Sequence, residues 1–250
     1  MISRLMPIAA LAALGFAARA IAIGDNLDSR VTAGEGWVAY RVPMAPASSV
    51  AMLSSLLDQS AADVENGSLV APAYHADASA MRALTAARAE PSHSFKEREQ
   101  ALFWLGQTRG TEGADVIEHY ATTDADPKLR AQAIFALSQS KAAEVYAHIL
   151  AMAHEDPAEH VRGQAFFWLA HLNDARAKDD IITSLKTESS DRVREQAVFA
   201  LSQLRDGADD EALIAVLGGD YPRVVKKTAL FWLGQSGSPR AVAYLDEALK

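Results

Sequence analysis

The sequence predicts an all-helical chain: an α-solenoid of stacked two-helix units, preceded by a short irregular segment with one strand. Three observations predict it. One motif recurs at an unvarying period of 32 residues. Each period holds two helical patterns separated by polar turns. No stretch after His93 alternates with period two, the signature of a half-buried strand.

Composition sets the frame. The chain has 250 residues, 50% hydrophobic and 22% charged. These values exclude a disordered chain, a collagen and a polytopic membrane protein. Cysteine is absent, so there is no disulfide framework, thiolate nucleophile or thiolate metal site.

In chain order, residues 1–20 (MISRLMPIAALAALGFAARA) have the form of a signal peptide. Arg4 supplies the positive flank, Leu5 to Ala18 an apolar run, and Ala18-Arg19-Ala20 the small residues of a cleavage site near Ala20. The run is short for a bilayer span, which needs about 20 residues. The expectation is a cleaved leader and a periplasmic or secreted protein without a membrane span. Losing Arg4 and Arg19 takes Lys+Arg from 24 to 22 and the net charge from −8 to −10. Such an acidic chain has no electrostatic footprint for nucleic acid.

Residues 21–60 form a second segment. Trp37 to Val42 is aromatic and β-branched and reads as one short strand. Ser48 to Leu57 reads as a helix with Val50, Leu53, Leu56 and Leu57 on one face. Residues 61–93 read as a degenerate capping repeat, its first helix shortened by Pro72.

Residues 94–250 hold five units. Gln100-Ala-Leu-Phe-Trp-Leu-Gly-Gln107 aligns with stretches beginning at Gln132, Gln164, Gln196 and Thr228, which places anchor alanines at 101, 133, 165, 197 and 229. In the second unit the first helix is expected over Leu129 to Ser140 and the second over Ala143 to Ala153. Asp126-Pro127, Asp156-Pro157, Ser190-Asp191 and Asp220-Tyr-Pro222 mark helix starts. Gly110, Gly207 and Gly237 are expected in the turns between paired helices. Trp104, Trp168 and Trp232 alternate with Ala136 and Ala200, a 64-residue super-repeat. Close packing explains the alternation if this column lies in the core, which is the expectation.

Asp-Pro, then Val-Arg (Val161-Arg162, Val193-Arg194), the anchor alanine, and Leu105 to Leu233 in steps of 32 with Gly106 and Gly234 resemble HEAT repeats. The match is to the short subtype named for the phycobilisome lyases. The resemblance implies a right-handed superhelix of paired helices with the second helices on the concave side. It is specific for architecture and weak for function. Deoxyhypusine hydroxylase shares the implied fold, but it carries His-Glu pairs just before the anchor. Here those positions read Glu99-Gln100, Ala131-Gln132, Gly163-Gln164, Glu195-Gln196 and Lys227-Thr228. His154-Glu155, with Glu159 and His160, lies outside that phase at a helix start, where acids also serve the helix dipole. The reading therefore names no catalytic residue, no metal ligand and no cofactor.

Two columns are candidates for function. Arg98, Arg130, Arg162, Arg194 and Lys226 are read as a structural ladder bonded to acids of adjacent units; the competing reading is an anion-binding stripe. Phe103, Phe135, Phe167, Phe199 and Phe231 lie about 200° around the helix from the anchor. Gln107, Gln139, Gln203 and Gln235 stand near them, with His171 in the third unit. Either each Phe tilts into the groove between first helices and is mostly buried, which burial pressure favours, or the rings form an exposed ladder for a partner segment. The function expected is an exported scaffold that binds a protein partner. The alternative is an enzyme on the same scaffold, lyase-like or with an unrecognised site.

Overall fold

The computed structural model describes residues 85–86, 88–108, 110–205 and 207–248. The signal peptide, the strand at Trp37–Val42, the helix at Ser48–Leu57 and most of the degenerate repeat lie outside the described residues. Among those residues there are ten helices and no strand. They are α1 Phe95–Thr108, α2 Gly110–Thr123, α3 Pro127–Ser138, α4 Val145–Glu155, α5 Glu159–His171, α6 Ala177–Thr187, α7 Asp191–Leu201, α8 Ala208–Gly218, α9 Arg223–Ser236 and α10 Pro239–Ala248. The chain divides into two compact units, residues 1–117 and 118–250.

In the first unit, Ser94 and Glu97 form a capping box at the start of α1. The Ser94 amide and hydroxyl both donate to Glu97 Oε2, at 3.0 and 2.7 Å, and the Glu97 amide donates back to Ser94 Oγ at 3.4 Å. Ala101, Leu102 and Leu105 are fully buried. Gly110 opens α2 instead of sitting in a turn.

The second unit is a helical repeat solenoid in two layers. First helices α3, α5, α7 and α9 pack side by side, and second helices α6, α8 and α10 do the same. Each pair also joins the next: α4 packs on α5, α6 on α7 and α8 on α9. Local chemistry sets the boundaries. Asp126 caps α3 by accepting from the Lys128 amide at 2.8 Å, with Pro127 opening the helix. Ser190 caps α7 through the Val193 amide. Gly207 and Gly237 have φ of +77° and +59°, left-handed values that side chains resist, and they form the turns before α8 and after α9.

The core lies between the layers. It holds Ala133, Ala165, Ala197 and Ala229, Leu137, Leu169, Leu201 and Leu233, and from the second helices Ile149, Ile181 and Leu213. The residue after the anchor completes it: Ile134, Phe166 and Val198 are 0–1% exposed.

The tryptophan column departs from expectation. Trp104, Trp168 and Trp232 are half-buried, while Ala136 and Ala200 at the same position are buried. The position lies about 60° from the anchor, on the side opposite the following residue. It is the edge of the core arc. A methyl there is covered, whereas an indole overhangs the edge and reaches the groove between first helices.

Candidate protein-interaction face

The groove side of the first-helix layer carries the aromatic column. In the first unit Phe103 meets Trp104 edge-on at 5.2 Å. In the second unit the rings run from helix to helix. Phe135 lies 4.9 Å from Trp168 of the next repeat, and Phe199 lies 4.9 Å from Trp232. Between these pairs the following helix offers Ala200 at the Trp position. Phe167 therefore reaches past it and stacks on Phe199 at 6.0 Å, with 13° between the planes. Within helices, Phe167 meets Trp168 and Phe231 meets Trp232, each edge-on at 5.1 Å. The alternation of Trp and Ala thus sets the pattern of ring contacts.

Phe103, Phe135, Phe167 and Phe199 are half-buried, and Phe231 is 56% exposed. Each interior ring meets a neighbouring aromatic ring and stays partly exposed. This is neither the mostly buried groove nor the open ladder that the sequence poses as alternatives. Gln107, Gln139 and Gln235 are exposed beside the rings, and Gln203 is half-buried. Gln139 and Gln203 donate to Ser138 and Ser202 hydroxyls at 3.1 and 3.0 Å. Those hydroxyls in turn donate to the Phe135 and Phe199 carbonyls. His171 is exposed. Its ring is 4.2 Å from Phe167, and its Nδ1 lies 2.8 Å from the Phe167 carbonyl oxygen. Gln196 crosses from α7 onto Gly163 of α5, filling the space a Cβ would take there. The face combines partly exposed aromatic rings with amide donors and acceptors.

The cations are engaged elsewhere. Arg98 Nε donates to the Ala89 carbonyl at 2.8 Å. Arg130 grips Asp156 with two parallel bonds of 2.7 and 2.8 Å and donates a third to the Asp124 carbonyl. Arg162 repeats the arrangement one layer on, with bonds of 2.8 and 3.0 Å to Glu188 and one of 2.8 Å to the Asp156 carbonyl. These forked contacts use the planar guanidinium as Lys could not. The acids also close the next helix start: Asp156 accepts from the Ala158 amide and Glu188 from the Ser190 amide. Burial pushes the Glu188 carboxyl up, but the Arg162 bond, the serine amides and the Arg162 charge outweigh it and hold it below the ordinary range. Arg194 departs from the pattern and bonds Asp191 and the Leu185 carbonyl. Lys226 is half-buried.

A cleft of about 430 Å³ lies beside this ladder, lined by His154, Glu155, Asp156, Arg162, Phe166 and Glu188 among others. Its strongest charges, Asp156, Arg162 and Glu188, are tied up in the forked pairs. His154 Nε2 lies 3.0 Å from Ser184 Oγ, and that hydroxyl donates to the Asp180 carbonyl at 2.6 Å. The serine is thereby held in a helical back-bond and is not presented to a ligand. Among the described residues no group of three or more His, Asp or Glu side chains could hold a metal ion, and no helix is long and apolar enough to cross a membrane.

Sequence reasoning missed one set of contacts. Tyr146, Lys178 and Asp210 occupy one column of the second helices, and each bonds to the following repeat. Their unlike side chains leave no mark of the column in the sequence.

Fold and contact pattern define a helical repeat protein of the scaffold kind. The HEAT repeats family matches residues 81–167 and again 146–231, and the PBS lyase HEAT-like repeat matches residues 225–250. The chain belongs to the HEAT-repeat proteins, a class typically used as protein-interaction modules. No curated protein matches it.

Proposed function

We propose that this protein is an exported interaction scaffold that captures a segment of a partner protein along its first-helix face. The observation that carries the reading is the run of ring contacts from Phe135 through Trp168, Phe167 and Phe199 to Trp232 and Phe231. Rigid, partly exposed aromatic rings with neighbouring amides supply contact area and hydrogen bonding at small entropic cost, as protein recognition surfaces do. Export rests on the leader-like residues 1–20. The test is affinity capture from the native envelope with the wild type and with Phe167→Ser/Phe199→Ser. Loss of a specific partner with unchanged circular dichroism supports the face; equal capture overturns it. Mass spectrometry of the recovered chain decides export: an intact Met1 terminus overturns it.

A further inference from the structure

The first-helix face carries a second row beside its rings. In α3, α5 and α7 the residue seven places before the phenylalanine is Lys128, His160 and Arg192. At 100° and 1.5 Å per residue, each lies within about 20° of its phenylalanine and about 10 Å nearer the helix start. Lys128 and Arg192 are exposed, His160 is half-buried, and no described acid pairs with either exposed cation. Glu195, three residues after Arg192, is half-buried in the same strip. Between cations and rings stand Gln132, Gln164 and Gln196. Gln196 shuts its carbonyl oxygen, buried and without a partner, over Gly163, leaving the amide nitrogen as its outer end. The indole N–H of Trp168 and of Trp232 meets no described acceptor, and neither nitrogen is buried. The strip is therefore rich in outward donors. Its two exposed cations against one acid make it positive on a chain whose net charge is −8.

Given the capture face proposed above, we infer that the segment it takes is proline-rich, runs across α3, α5 and α7 in the polyproline II conformation, and turns acidic side chains toward the row of Lys128 and Arg192. Register selects this conformation. Packed helices lie about 8–10 Å apart. One polyproline II turn of three residues advances about 9.3 Å, so one residue of every turn meets one repeat. A β-strand returns to the same face after about 6.7 Å and falls short of the next repeat. Trp168 and Trp232 stand two repeats apart, about six polyproline II residues. Donor balance selects the composition. Polyproline II makes no internal hydrogen bonds, so its carbonyls are free to accept from indole and amide N–H groups, and proline brings no N–H of its own. An α-helical segment keeps its carbonyls for itself. Pyrrolidine rings pack on exposed aromatic rings such as Phe135, Phe167 and Phe199. The positive strip then calls for carboxylates on one side of the segment.

Calorimetric titration of the full chain tests this with three synthetic peptides of equal length: a Pro-Pro-Glu repeat, a Pro-Pro-Lys repeat, and a helix-forming Ala-rich peptide with the same glutamate content. The Pro-Pro-Glu peptide should saturate the chain below about 1 mM, and the other two should bind at least about tenfold more weakly. Lys128→Glu/Arg192→Glu should reverse the preference between the proline peptides. Both side chains are exposed, so the melting temperature should hold. Phe167→Ser/Phe199→Ser should abolish binding of both proline peptides. No saturation by the Pro-Pro-Glu peptide, equal binding of the helical peptide, or a preference that survives the charge swap overturns the proposal. The two readings fail separately. A native partner captured through Phe167 and Phe199, with no proline peptide bound, keeps the face and removes this ligand. Capture indifferent to both phenylalanines removes the face itself.

Discussion

The stretch Ala101-Leu-Phe-Trp-Leu-Gly-Gln107 in α1 is identical to Ala229-Leu-Phe-Trp-Leu-Gly-Gln235 in α9. The two copies have different surroundings. Leu102 is fully buried and Leu230 is 48% exposed; Phe103 is half-buried and Phe231 is 56% exposed. Gly106 is buried, whereas Gly234 is exposed with open space where a side chain would stand. The comparison teaches that the helix-forming pattern is local, but the energetic weight of each position is set by what packs against it. Only the anchor alanine and the leucine four residues on are fully buried in both copies, because the helix's own partner covers that arc.

The largest expected contrast follows from this. Phe166→Ala in the covered column should cost about 3–5 kcal/mol. Leu230→Ala at the same column position should cost under about 1 kcal/mol, because much of its surface already meets water. Denaturant unfolding measures both. Equal losses would mean that Leu230 is covered in solution and would break the comparison.

A smaller effect is expected at the ladder. Arg162→Lys keeps the charge and loses one arm of the fork to Glu188, so stability should fall by roughly 1 kcal/mol with partner capture unchanged. Loss of polyanion binding at unchanged stability would revive the anion-stripe reading. The acid limb adds a sign. The folded Glu188 carboxyl titrates below its unfolded value, so its contribution is complete above about pH 4.3 and is lost as pH falls through the depressed folded value. Glu188→Gln should flatten that limb of a pH-stability curve; a curve of the same slope would assign the acid sensitivity elsewhere.

The smallest effect sharpens the comparison at its far end. Gly234→Ala in α9 adds a methyl into open space and removes glycine's entropy cost in a helix, so the isolated chain should gain roughly 0.5–1 kcal/mol. Thermal melts measure the gain; an unchanged or lower melting temperature would mean that the methyl meets a neighbour.

Much of the architecture was legible because a solenoid makes the same local decision repeatedly. The 32-residue period, the capping Asp126 and Ser190, and the left-handed Gly207 and Gly237 act within a few residues of themselves, and the helices start and stop near where those signals stand. Two members of the cation column pair as a ladder would, for a related reason: Arg130 and Arg162 recur in phase, and their acids recur 26 residues later. The tryptophan column was misplaced because a wheel gives an angle from the anchor but not the width of the covered arc. At the edge of that arc side-chain size decides, so Ala136 sinks and Trp168 overhangs.

The sequence by itself determined the period, the two helices per unit, their caps and the alternation of Trp with Ala, because each depends on backbone propensity and spacing. Tertiary structure alone decided which aromatic meets which. Phe135 finds Trp168 and Phe167 finds Phe199 only because neighbouring first helices lie side by side with that register. It also decided that Tyr146, Lys178 and Asp210 share a role despite unlike chemistry, and that two identical heptapeptides differ in burial. Burial and cross-repeat contact are properties of the neighbour, and no residue's own pattern contains its neighbour.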